Sequence, residues 1–548
     1  MTPSGQATDA FTDEERAALA PYVTSLDGPV FALVNLPEVV KGAAFARYSR
    51  SPKSLRRLLL DEFAAGRPAA AGEGGVDVQR AERLYERVFL EYGDDSVAQL
   101  GGVHLAVEDA SQLLTKVLER GRLAGYLEQS TRYIPYDARP GGRFRYHVPA
   151  EVQAEPGLAA RYRETLDAAF ETYARWLEPM QAYFRERFPK DPADPDAVYR
   201  SSIRAKACDA LRGLLPAATL TNVGIYASAQ SYEQLLLRMR AHPLAEMRAA
   251  ADLMLNELRK VIPAFLTRVD QPDRGVAWSD YLAATREATA AEAARVLGDV
   301  EAEARPDVVL SDFDPEGETK VVAAALYAAS DLPDDQLLAI ARAMPSADRA
   351  AVLAAYVGER ANRRHRPGRA LERTGYRFDV ICDYGAFRDL QRHRMLTIEW
   401  QALTPRLGFV LPLEVEKAGA GVDWVEVMTR SAALHDELEA ALGPVVAQYP
   451  VSLAHRVRFV LQMNAREAMH LIELRSSPQG HPAYRRVAHE LHRLIAEEAG
   501  HTDIASAMSF VEHGEVDLER LEAERRTEAR RRAASGGVSG DAPGGRDA

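Results

Sequence analysis

Two stretches of this 548-residue chain share one pattern: LERGRLAGYLEQSTRYIPYD at residues 118–137 and LQRHRMLTIEWQALTPRLGFVLP at residues 390–412. Each has an Arg-x-Arg at the end of a predicted helix and then a loop that ends in Thr-Arg or Thr-x-Arg. Similarity between distant parts of one chain indicates a repeated structural unit. The pair therefore predicts that the chain contains an internal repeat.

Two further pairs of blocks occur in the same order. Residues 214–248 parallel residues 448–486, and residues 34–63 loosely parallel residues 309–337. Helices rich in Ala, Leu and Arg can look alike by chance, but three blocks in one order favour a duplication. We expect a first copy at 1–285, a helical linker at 286–305, a second copy at 306–523 and a disordered tail at 524–548, because the tail lacks apolar residues.

The composition bounds the class of protein. Apolar residues make up 47% and charged residues 27%, which is typical of a soluble globular protein and excludes a disordered, collagenous or membrane-spanning one. The net charge of −12 disfavours general nucleic-acid binding. Cys208 and Cys382 are too few and too far apart for a disulfide framework or a metal knuckle. The N-terminus has no basic start and no apolar run, so we expect a cytoplasmic protein.

Residue patterns predict an α+β fold with helices in the majority. Predicted helices cover residues 97–120, 244–262, 284–305, 456–475 and 483–498. Predicted strands are Val30–Leu36, Phe144–Val148, Val308–Leu310 and Arg377–Tyr384. The Gly- and Ala-rich stretch at 65–76 is predicted to be a surface loop.

Two polar runs carry candidate chemistry. Arg392, His393 and Arg394 are adjacent, and unpaired charge inside a protein is costly, so anionic partners such as phosphates would suit them. A solvated arginine-rich turn is the alternative interpretation. Residues 128–133, EQSTRY, combine a hydroxyl, a cation and backbone donors, which can hold a monophosphate. The alternative there is a polar turn.

These two runs resemble the signature of the flavin-dependent thymidylate synthases, which is R-H-R, a short spacer and then N-E-x-S-x-R-Y. The second copy has R-H-R at residues 392–394, and the first copy has EQSTRY at residues 128–133. Other positions that match the family are Asn464, Arg466 and Arg475 in MNAREAMHLIELR, Arg212 before Leu-Leu-Pro, and His365 with Glu372 upstream of R-H-R. The resemblance implies two tandem, divergent copies of that fold.

Each copy also departs from the family. The first copy has Arg120-Gly121-Arg122 in place of R-H-R, and Ser228 and Gln230 where the family has Asn and Arg. The second copy matches the loop only through Thr404 and Arg406 with two residues inserted. Leu407 replaces the tyrosine, Gln448 stands opposite Arg212, and His470 replaces an Asn. Because the losses are complementary, we hypothesise one composite site built from both copies.

The resemblance implies conversion of dUMP to dTMP, with methylenetetrahydrofolate as carbon donor and NADPH-reduced FAD as hydride source. Its implied catalytic residues are Arg475 and Ser130. Its implied substrate-binding residues are Glu128, Gln129, Ser130, Arg132, Tyr133, Arg212 and Arg475. Its implied cofactor-binding residues are His365, Arg392, His393, Arg394, Asn464, Arg466 and His470. No metal is expected, because His489 and His492 do not form H-E-x-x-H.

Two alternatives remain open from the sequence. One is a non-catalytic homologue that binds flavin or nucleotide, and the other is a flavin enzyme that acts on another pyrimidine. The expected partners are small molecules, with no nucleic acid and no membrane. We also expect a homodimer that resembles a tetramer of single copies.

Overall fold

The computed structural model describes residues 11–49, 51–64, 99–192, 194–298, 300–514 and Arg525. The predicted loop at 65–76 lies outside these residues, and so does the predicted tail apart from Arg525. Across the described ranges the fold is α+β with helices in the majority, as the sequence predicted.

Helices account for most of the ordered elements. The α-helices are α1 Asp13–Leu19, α2 Glu38–Tyr48, α3 Leu55–Leu58, α4 Gln112–Leu118, α5 Ala150–Gln153, α6 Pro156–Arg187, α7 Asp196–Leu211, α8 Ala229–Arg240, α9 Ala245–Leu258, α10 Ala277–Leu297, α11 Gly317–Tyr327, α12 Asp334–Ala343, α13 Ser346–Val357, α14 Tyr384–Leu390, α15 Leu413–Lys417, α16 Gly421–Leu442, α17 Ala465–Arg475, α18 Pro482–Glu497 and α19 Thr502–Ala507. No helix among the residues that the structure covers is long and apolar enough to cross a membrane.

The strands form two sheets. They are β1 Gly102–Ser111, β2 Ala124–Glu128, β3 Leu220–Ser228, β4 Val308–Phe313, β5 Gly375–Asp383, β6 Thr397–Trp400 and β7 Arg456–Asn464. One sheet has the order β1-β3-β2 and the other has the order β4-β5-β7-β6. The pairs β2–β3, β4–β5, β5–β7 and β6–β7 are antiparallel; in the β5–β7 pair Gly375 lies opposite Asn464.

Both halves of the chain repeat the same series of elements. A long strand leads into a seven-residue helix, then an Arg-x-Arg and a short strand, in the order β1-α4-β2 in the first half and β5-α14-β6 in the second. Later a nine-residue strand runs directly into a helix whose N-cap side chain, Ser228 or Asn464, accepts a backbone hydrogen bond. Strand order β1-β3-β2 corresponds to β5-β7-β6. The predicted duplication is therefore visible in the topology.

Packing divides the chain into two compact units whose limits cut across the sequence. Unit one comprises Met1–Ala110, Val117–Glu128 and Asn222–Val300. Unit two comprises Ser111–Lys116, Gln129–Thr221 and Glu301–Ala548. Unit two thus contains a large part of the first half together with the whole second half. The compact units do not follow the two expected copies, so the copy limits at residues 285 and 306 remain predictions about where the duplicated segments end and begin.

The core of unit two forms around β5 and β7. On β7 the apolar residues alternate, and Val457, Phe459 and Leu461 are at most 1% exposed. Helix α18 packs on β4 and β5, and the long helix α6 packs on α16. In unit one, helices α8 and α9 pack together through residues such as Leu236 and Leu255.

Two predicted helices proved to be partly strand. Within the predicted helix 97–120, whose first two residues lie outside the described ones, residues 102–111 form strand β1, in which Val103, Leu105 and Val107 alternate with exposed residues. The predicted helix 456–475 is likewise strand up to Asn464 and helix only after it. In both segments apolar residues first alternate, as in a strand, and then recur every three to four residues, as in a helix. A single helical window over the whole segment conceals the alternating part. Strands β2, β3 and β6 were not predicted.

Other secondary-structure predictions divide clearly. The strands predicted at Val308–Leu310 and Arg377–Tyr384 and the helices predicted at 244–262 and 483–498 are confirmed within a few residues by β4, β5, α9 and α18. The linker helix exists but spans Ala277–Leu297. The strands predicted at Val30–Leu36 and Phe144–Val148 were wrong, since each segment contributes only one isolated bridge pair.

Candidate functional site

Charged side chains from both halves of the sequence meet inside unit two. Those from the first half are Arg132, Asp209 and Arg212, and those from the second half are Asp389, His393, Glu467, Arg475, His481 and Tyr484. They come from the loop after β2, the end of α7, the end of α14 and the turn that follows it, helix α17, and the N-cap and first turn of α18. We call this set the arginine cluster.

A tight turn presents Arg132 to the cluster. The Ser130 hydroxyl accepts a hydrogen bond from the Arg132 backbone N–H at 3.2 Å, and the Ser130 carbonyl accepts from Tyr133 N–H at 3.2 Å. The Thr221 hydroxyl donates to the Gln129 carbonyl at 3.0 Å, which ties the turn to β3. The Gln129 side-chain Oε1 is buried and has no hydrogen-bond partner. Ser130 therefore shapes the turn, and Gln129 has an unused acceptor.

Arg132 and Asp209 form a bidentate ion pair. Arg132 Nε and Nη2 lie 2.8 and 2.9 Å from the two Asp209 carboxylate oxygens, and Arg132 Nη1 donates to the Tyr484 hydroxyl at 3.1 Å. Burial alone would raise the pKa of Asp209, but the charges of Arg132 and Arg212 and the hydrogen bonds from Arg132 hold it well below its usual range. Asp209 is therefore ionised and fixes the Arg132 guanidinium in place.

Arg212 is buried with part of its donor capacity unused. Its side chain is 5% exposed, Nη1 donates to Asp389 at 3.4 Å, and Nε lies 3.7 Å from Asp209. Its Nη2 is buried with no hydrogen-bond partner. A buried guanidinium donor without a partner carries a free-energy cost of about 1–3 kcal/mol or more. The atom is thus available to an anionic ligand.

Asp389 is the second carboxylate of the cluster. Its burial would raise its pKa, but the charges of Arg212, Arg475 and Arg132 lower it well below the ordinary range. The guanidinium charges of Arg212, Arg475, Arg132 and Arg392 all act on Asp389, so the surroundings of this carboxylate are strongly cationic.

A hydrogen-bonded chain runs from Arg475, the last residue of α17, through His393 to Glu467 in the first turn of the same helix. Arg475 Nε donates to His393 Nε2 at 2.9 Å, and His393 Nδ1 lies 3.0 Å from Glu467 Oε1. Glu467 also lies 3.3 Å from His470 Nδ1. Because Nε2 accepts, His393 must be neutral and carry its proton on Nδ1. Burial agrees with this state, since it lowers the pKa of His393 to about 4.

The hydrogen bonds of His393 within the protein leave neither ring nitrogen for a direct hydrogen bond to a cofactor. Both of its ring nitrogens are engaged and the residue is 5% exposed. We predicted it as a cofactor ligand, but its hydrogen bonds go to Arg475 and Glu467. His393, Glu467 and His470 also bring metal-ligand atoms within 4.8 Å of one another. The hydrogen bonds already present account for that closeness without an ion.

The other expected cofactor residues lie in different settings. Arg392 and Arg394 are exposed, and the charge of Arg392 reaches Asp389 and Arg475. The Asn464 side chain caps α17 by accepting from Glu467 N–H at 2.9 Å. Arg466 lies 3.3 Å from the Glu372 carboxylate and donates to the Pro367 carbonyl, so its charge is already matched. His365 is exposed, and its hydrogen bonds stay within residues 360–365.

Two further expected substrate residues are Glu128 and Tyr133. Glu128 is buried at the end of β2 in unit one, opposite Val223. Tyr133 is 44% exposed, and its ring lies 5.8 Å from the Arg132 guanidinium carbon. The Arg475 guanidinium lies 5.4 Å from the centre of the Tyr484 ring, which Arg132 also approaches at 5.9 Å. The two arginines from opposite halves therefore flank one aromatic side chain.

Sequence reasoning missed the acidic and aromatic partners: Asp209, Asp389, Glu467, His481 and Tyr484. A usable signal existed for two of them. Asp209 precedes Arg212 by three residues, and Asp389 precedes Arg392 by three, which is the spacing of neighbours on a helix. His481 and Tyr484 begin α18, and only the fold brings that helix to Arg132.

The cluster is built for binding and polarising anions. Neither cysteine offers a thiolate, because both are buried and burial raises the pKa of Cys208 and of Cys382. Ser130 hydrogen-bonds a backbone N–H and has no base as a described hydrogen-bond partner. What the cluster offers is fixed guanidinium donors, which suit a phosphate and a ring that gains negative charge.

Comparison with known proteins gives the family. Residues 39–264 and 309–499 match the family described as thymidylate synthase complementing protein. A "UPF0159 protein" of Chlamydia muridarum is 39% identical over 95% of this chain and 99% of its own length. A "flavin-dependent thymidylate synthase" of Mycobacterium bovis is 28% identical over 33% of this chain and 66% of its own length. A solved flavin-dependent thymidylate synthase ThyX from Helicobacter pylori, complexed with FAD and dUMP, covers 34% of this chain and 93% of its own at 18% identity and a TM-score of 0.26.

Proposed function

This chain belongs to the thymidylate synthase complementing protein family, in two matching segments, and from that premise we propose that it is a flavin-dependent thymidylate synthase. The reaction converts dUMP to dTMP, with methylenetetrahydrofolate as carbon donor and NADPH as reductant. Support comes from the family and from a relative whose name states a flavin-dependent synthase. The proposed site is the arginine cluster of unit two.

The observation that carries the proposal is the meeting of Arg132, Arg212 and Arg475 around two carboxylates. The first two residues come from the first half of the chain and the third comes from the second half. Each half alone lacks part of the set, as the complementary losses in the sequence led us to expect. The juxtaposition supports one composite site per chain.

We assign the phosphate of dUMP to the first-half residues. Arg212 Nη2 is the buried donor without a partner, and Arg132 is held beside it by Asp209. Guanidinium groups match phosphate oxygens two at a time, so two fixed arginines give both charge and orientation. Gln129 Oε1 and the Ser130 hydroxyl are the neighbouring polar groups that would complete the substrate pocket.

We assign Arg475 to the pyrimidine. Its Nε is held by His393 and it also interacts with the Tyr484 hydroxyl, so the remaining Nη donors are the ones we assign to a carbonyl oxygen of the ring. A guanidinium fixed in this way stabilises the negative charge that develops when the ring is attacked, without moving during the reaction. The absence of a reactive thiolate among the described residues agrees with activation by charge.

The donor set also fits an anionic flavin nucleotide. Arg392 and Arg394 are exposed cations on either side of His393; Asn464 caps α17, and His470 on that helix lies with its ring 5.2 Å from the His393 ring. When bound, FAD supplies the hydride that completes the methyl group. These four residues would hold it. Arg466 and His365 fit this role less well, because Arg466 is paired with Glu372 and His365 hydrogen-bonds only within its own loop.

A second candidate is a homologue that binds a nucleotide without catalysis. It is favoured by the engaged nitrogens of His393 and the ion pair of Arg466, which leave fewer free groups for flavin than the family signature contains. The same arginine cluster would then serve only for binding a monophosphate.

The flavin spectrum of the purified full-length protein separates these candidates first. A bound flavin that is lost in Arg392→Ala and retained in Arg430→Ala supports the synthase; Arg430 is an exposed arginine in an ordinary helix ion pair and is the matched control. Growth of a thymidine-requiring host on the chain then tests catalysis. Failure to rescue, with soluble and flavin-loaded protein, would favour the binding homologue.

The division of labour within the site has its own test. Arg132→Lys keeps the charge beside Asp209 but loses the bidentate fork, so dUMP affinity should fall by at least tenfold while flavin stays bound. Titration calorimetry with dUMP and the flavin absorbance report the two properties separately. Loss of both together would contradict the assignment.

A further inference from the structure

Unit one contains its own cavity, of about 590 Å³, which we call the unit-one pocket. Its walls are the Arg120–Ala124 loop, the strand residues Tyr126, Ile225 and Ala227, one face of α8, and Leu282 of α10. The α8 face contributes Ser231, Gln234, Leu235 and Arg238, which are spaced three or four residues apart. A volume of this size suits a small organic ligand.

The charge of the pocket is positive. Three arginines line it, and none of the lining residues that the structure describes is acidic. Arg120 and Arg122 also engage other groups of the chain, so the decisive side chain is Arg238. Arg238 is half-buried and forms no ion pair or hydrogen bond with the residues that the structure covers. Burial and the charge of Arg120 lower the pKa of Arg238, which means that the charged guanidinium is destabilised relative to one in water.

The pocket is the first-half counterpart of the site in unit two, with different chemistry. Aligning the two helix caps, Ser228 and Asn464, sets Ser231 against Glu467 and Gln234 against His470. The same alignment sets the buried Met239 against Arg475, and it sets Arg238 against Leu474. The guanidinium in the pocket therefore arises from a position that is apolar in the second half.

The loop at the mouth of the pocket is fixed in its own way. The Tyr126 hydroxyl donates to the Gly121 carbonyl at 3.2 Å, and the Ser231 hydroxyl donates to the Leu123 carbonyl at 3.1 Å. A Cβ at Gly121 would lie only 2.5 Å from the Tyr126 hydroxyl, so a histidine equivalent to His393 is excluded unless Tyr126 moves. The first half has thus replaced the proton-holding histidine by a rigid, small-residue loop.

From these contacts we propose that the unit-one pocket is a second ligand site, which binds a phosphate-bearing small molecule through Arg238 without carrying out chemistry on it. The guanidinium fork takes phosphate oxygens, and Ile225, Ala227 and Leu235 offer an apolar wall to the rest of the molecule. The pocket has no histidine or carboxylate among its described lining residues to move a proton. Its role is therefore binding.

The test uses the full-length protein with ADP as probe and inorganic pyrophosphate as a second probe, measured by titration calorimetry. We expect saturable binding that weakens at least tenfold in Arg238→Met. The control Arg240→Met removes an arginine from the same helix that pairs with Asp252, and it should leave the affinity unchanged. Arg475→Met, in unit two, should also leave it unchanged.

Stability measurements separate binding from folding. Because Arg238 is held at a cost and has no described partner, Arg238→Met should leave the melting temperature of the ligand-free protein unchanged or higher. The rise in melting temperature that ADP produces should disappear in that variant. The proposal is overturned if neither probe binds, if Arg238→Met binds ADP like the wild type, or if Arg475→Met abolishes binding. Binding of neither probe, or wild-type binding by Arg238→Met, would leave the proposed thymidylate synthesis at the arginine cluster unaffected.

Discussion

At the residue scale, Glu467 orients other residues of the arginine cluster, although we assign it no contact with substrate or cofactor. Its carboxylate accepts a hydrogen bond from His393 Nδ1–H. That hydrogen bond fixes the tautomer in which His393 Nε2 accepts a hydrogen bond from Arg475 Nε. Burial would raise the pKa of Glu467, but its hydrogen bonds to His393 and His470 lower it to about 2. The carboxylate is therefore ionised near neutral pH and acts on Arg475 through the histidine.

Replacing Glu467 tests this positioning role. Glu467→Gln keeps the size but loses the charge that favours the Nδ1–H tautomer, so the orientation of Arg475 should loosen. We expect about tenfold weaker dUMP binding, with a change in the imidazole ¹⁵N shifts that report the His393 tautomer. Glu497→Gln, an exposed carboxylate paired with Arg493, is the matched control. Unchanged shifts in Glu467→Gln would contradict the role even if affinity fell.

At the element scale, the start of α14 packs against Arg212. Asp383 caps this helix by accepting from Ala386 N–H at 2.9 Å, and a Cβ at Gly385 would lie 3.2 Å from Arg212 Nε and 3.0 Å from Asp383 Oδ1. Glycine at 385 therefore lets the buried guanidinium lie against the helix. The close approach links the position of helix α14 to the position of one guanidinium of the arginine cluster.

Gly385→Ala should displace Arg212 and weaken dUMP binding several-fold. Overpacking of a tight contact costs typically about 1–3 kcal/mol, so the free energy of unfolding should fall by that order. Gly157→Ala is the control, because a Cβ there meets nothing within 4 Å and the position lies in helix α6. That variant should be neutral or slightly more stable. Equal dUMP affinity in both variants would show that Arg212 tolerates the shift.

The N-cap of α17 has two possible uses that substitution can separate. Asn464→Ala removes the acceptor for Glu467 N–H and should cost about 1 kcal/mol of unfolding free energy. Asn464→Asp retains the acceptor and should restore the stability. If the Asn464 amide also donates to flavin, the Asp variant will be stable but will bind flavin poorly. Normal flavin content in Asn464→Asp would limit the residue to capping.

At the scale of the whole molecule, stability should depend on buried neutral histidines. Burial lowers the pKa of His393 and His455 to about 4 and that of His481 to about 3. Unfolded histidines titrate near pH 6.5, so between pH 6.5 and 4 the unfolded chain binds protons that the folded chain refuses. Each such histidine costs on the order of 3 kcal/mol by pH 4.

The urea midpoint should therefore be steady from pH 8 to 7 and fall as the pH drops from about 6.5 to 4. Asp209 and Asp389, whose pKa values lie well below the usual range, keep their stabilising charge through that window and lose it only at lower pH. His455→Gln removes one of these buried histidines, so the fall of the urea midpoint between pH 6.5 and 4 should be smaller in that variant. A midpoint that stays level down to pH 4.5 would contradict the assignment of neutral buried histidines.

The composite site also bears on assembly. Unit two draws residues 129–221 from the first half, so both halves must be present for the arginine cluster to form. A fused pair can therefore hold together, in one chain, groups that separate copies would have to contribute by association. We propose on this ground a homodimer in place of a tetramer of single copies.

The sequence by itself determined the duplication, the helix-rich α+β class and most of the cationic residues of the site. These follow from patterns that are local, such as Arg-x-Arg, EQSTRY and the blocks that repeat in order. It failed at 102–111 and 456–464, where a strand and a helix share one apolar run, because periodicity within a short window cannot separate them.

Only the tertiary structure decided which charges meet. Asp209 and Tyr484 come from opposite halves of the chain, yet both contact Arg132. The tautomer of His393, the unpartnered donor of Arg212 and the pocket beside Arg238 depend on the packing of distant elements. Burial and charge pairing are properties of neighbours in space, so no reading of adjacent residues could supply them.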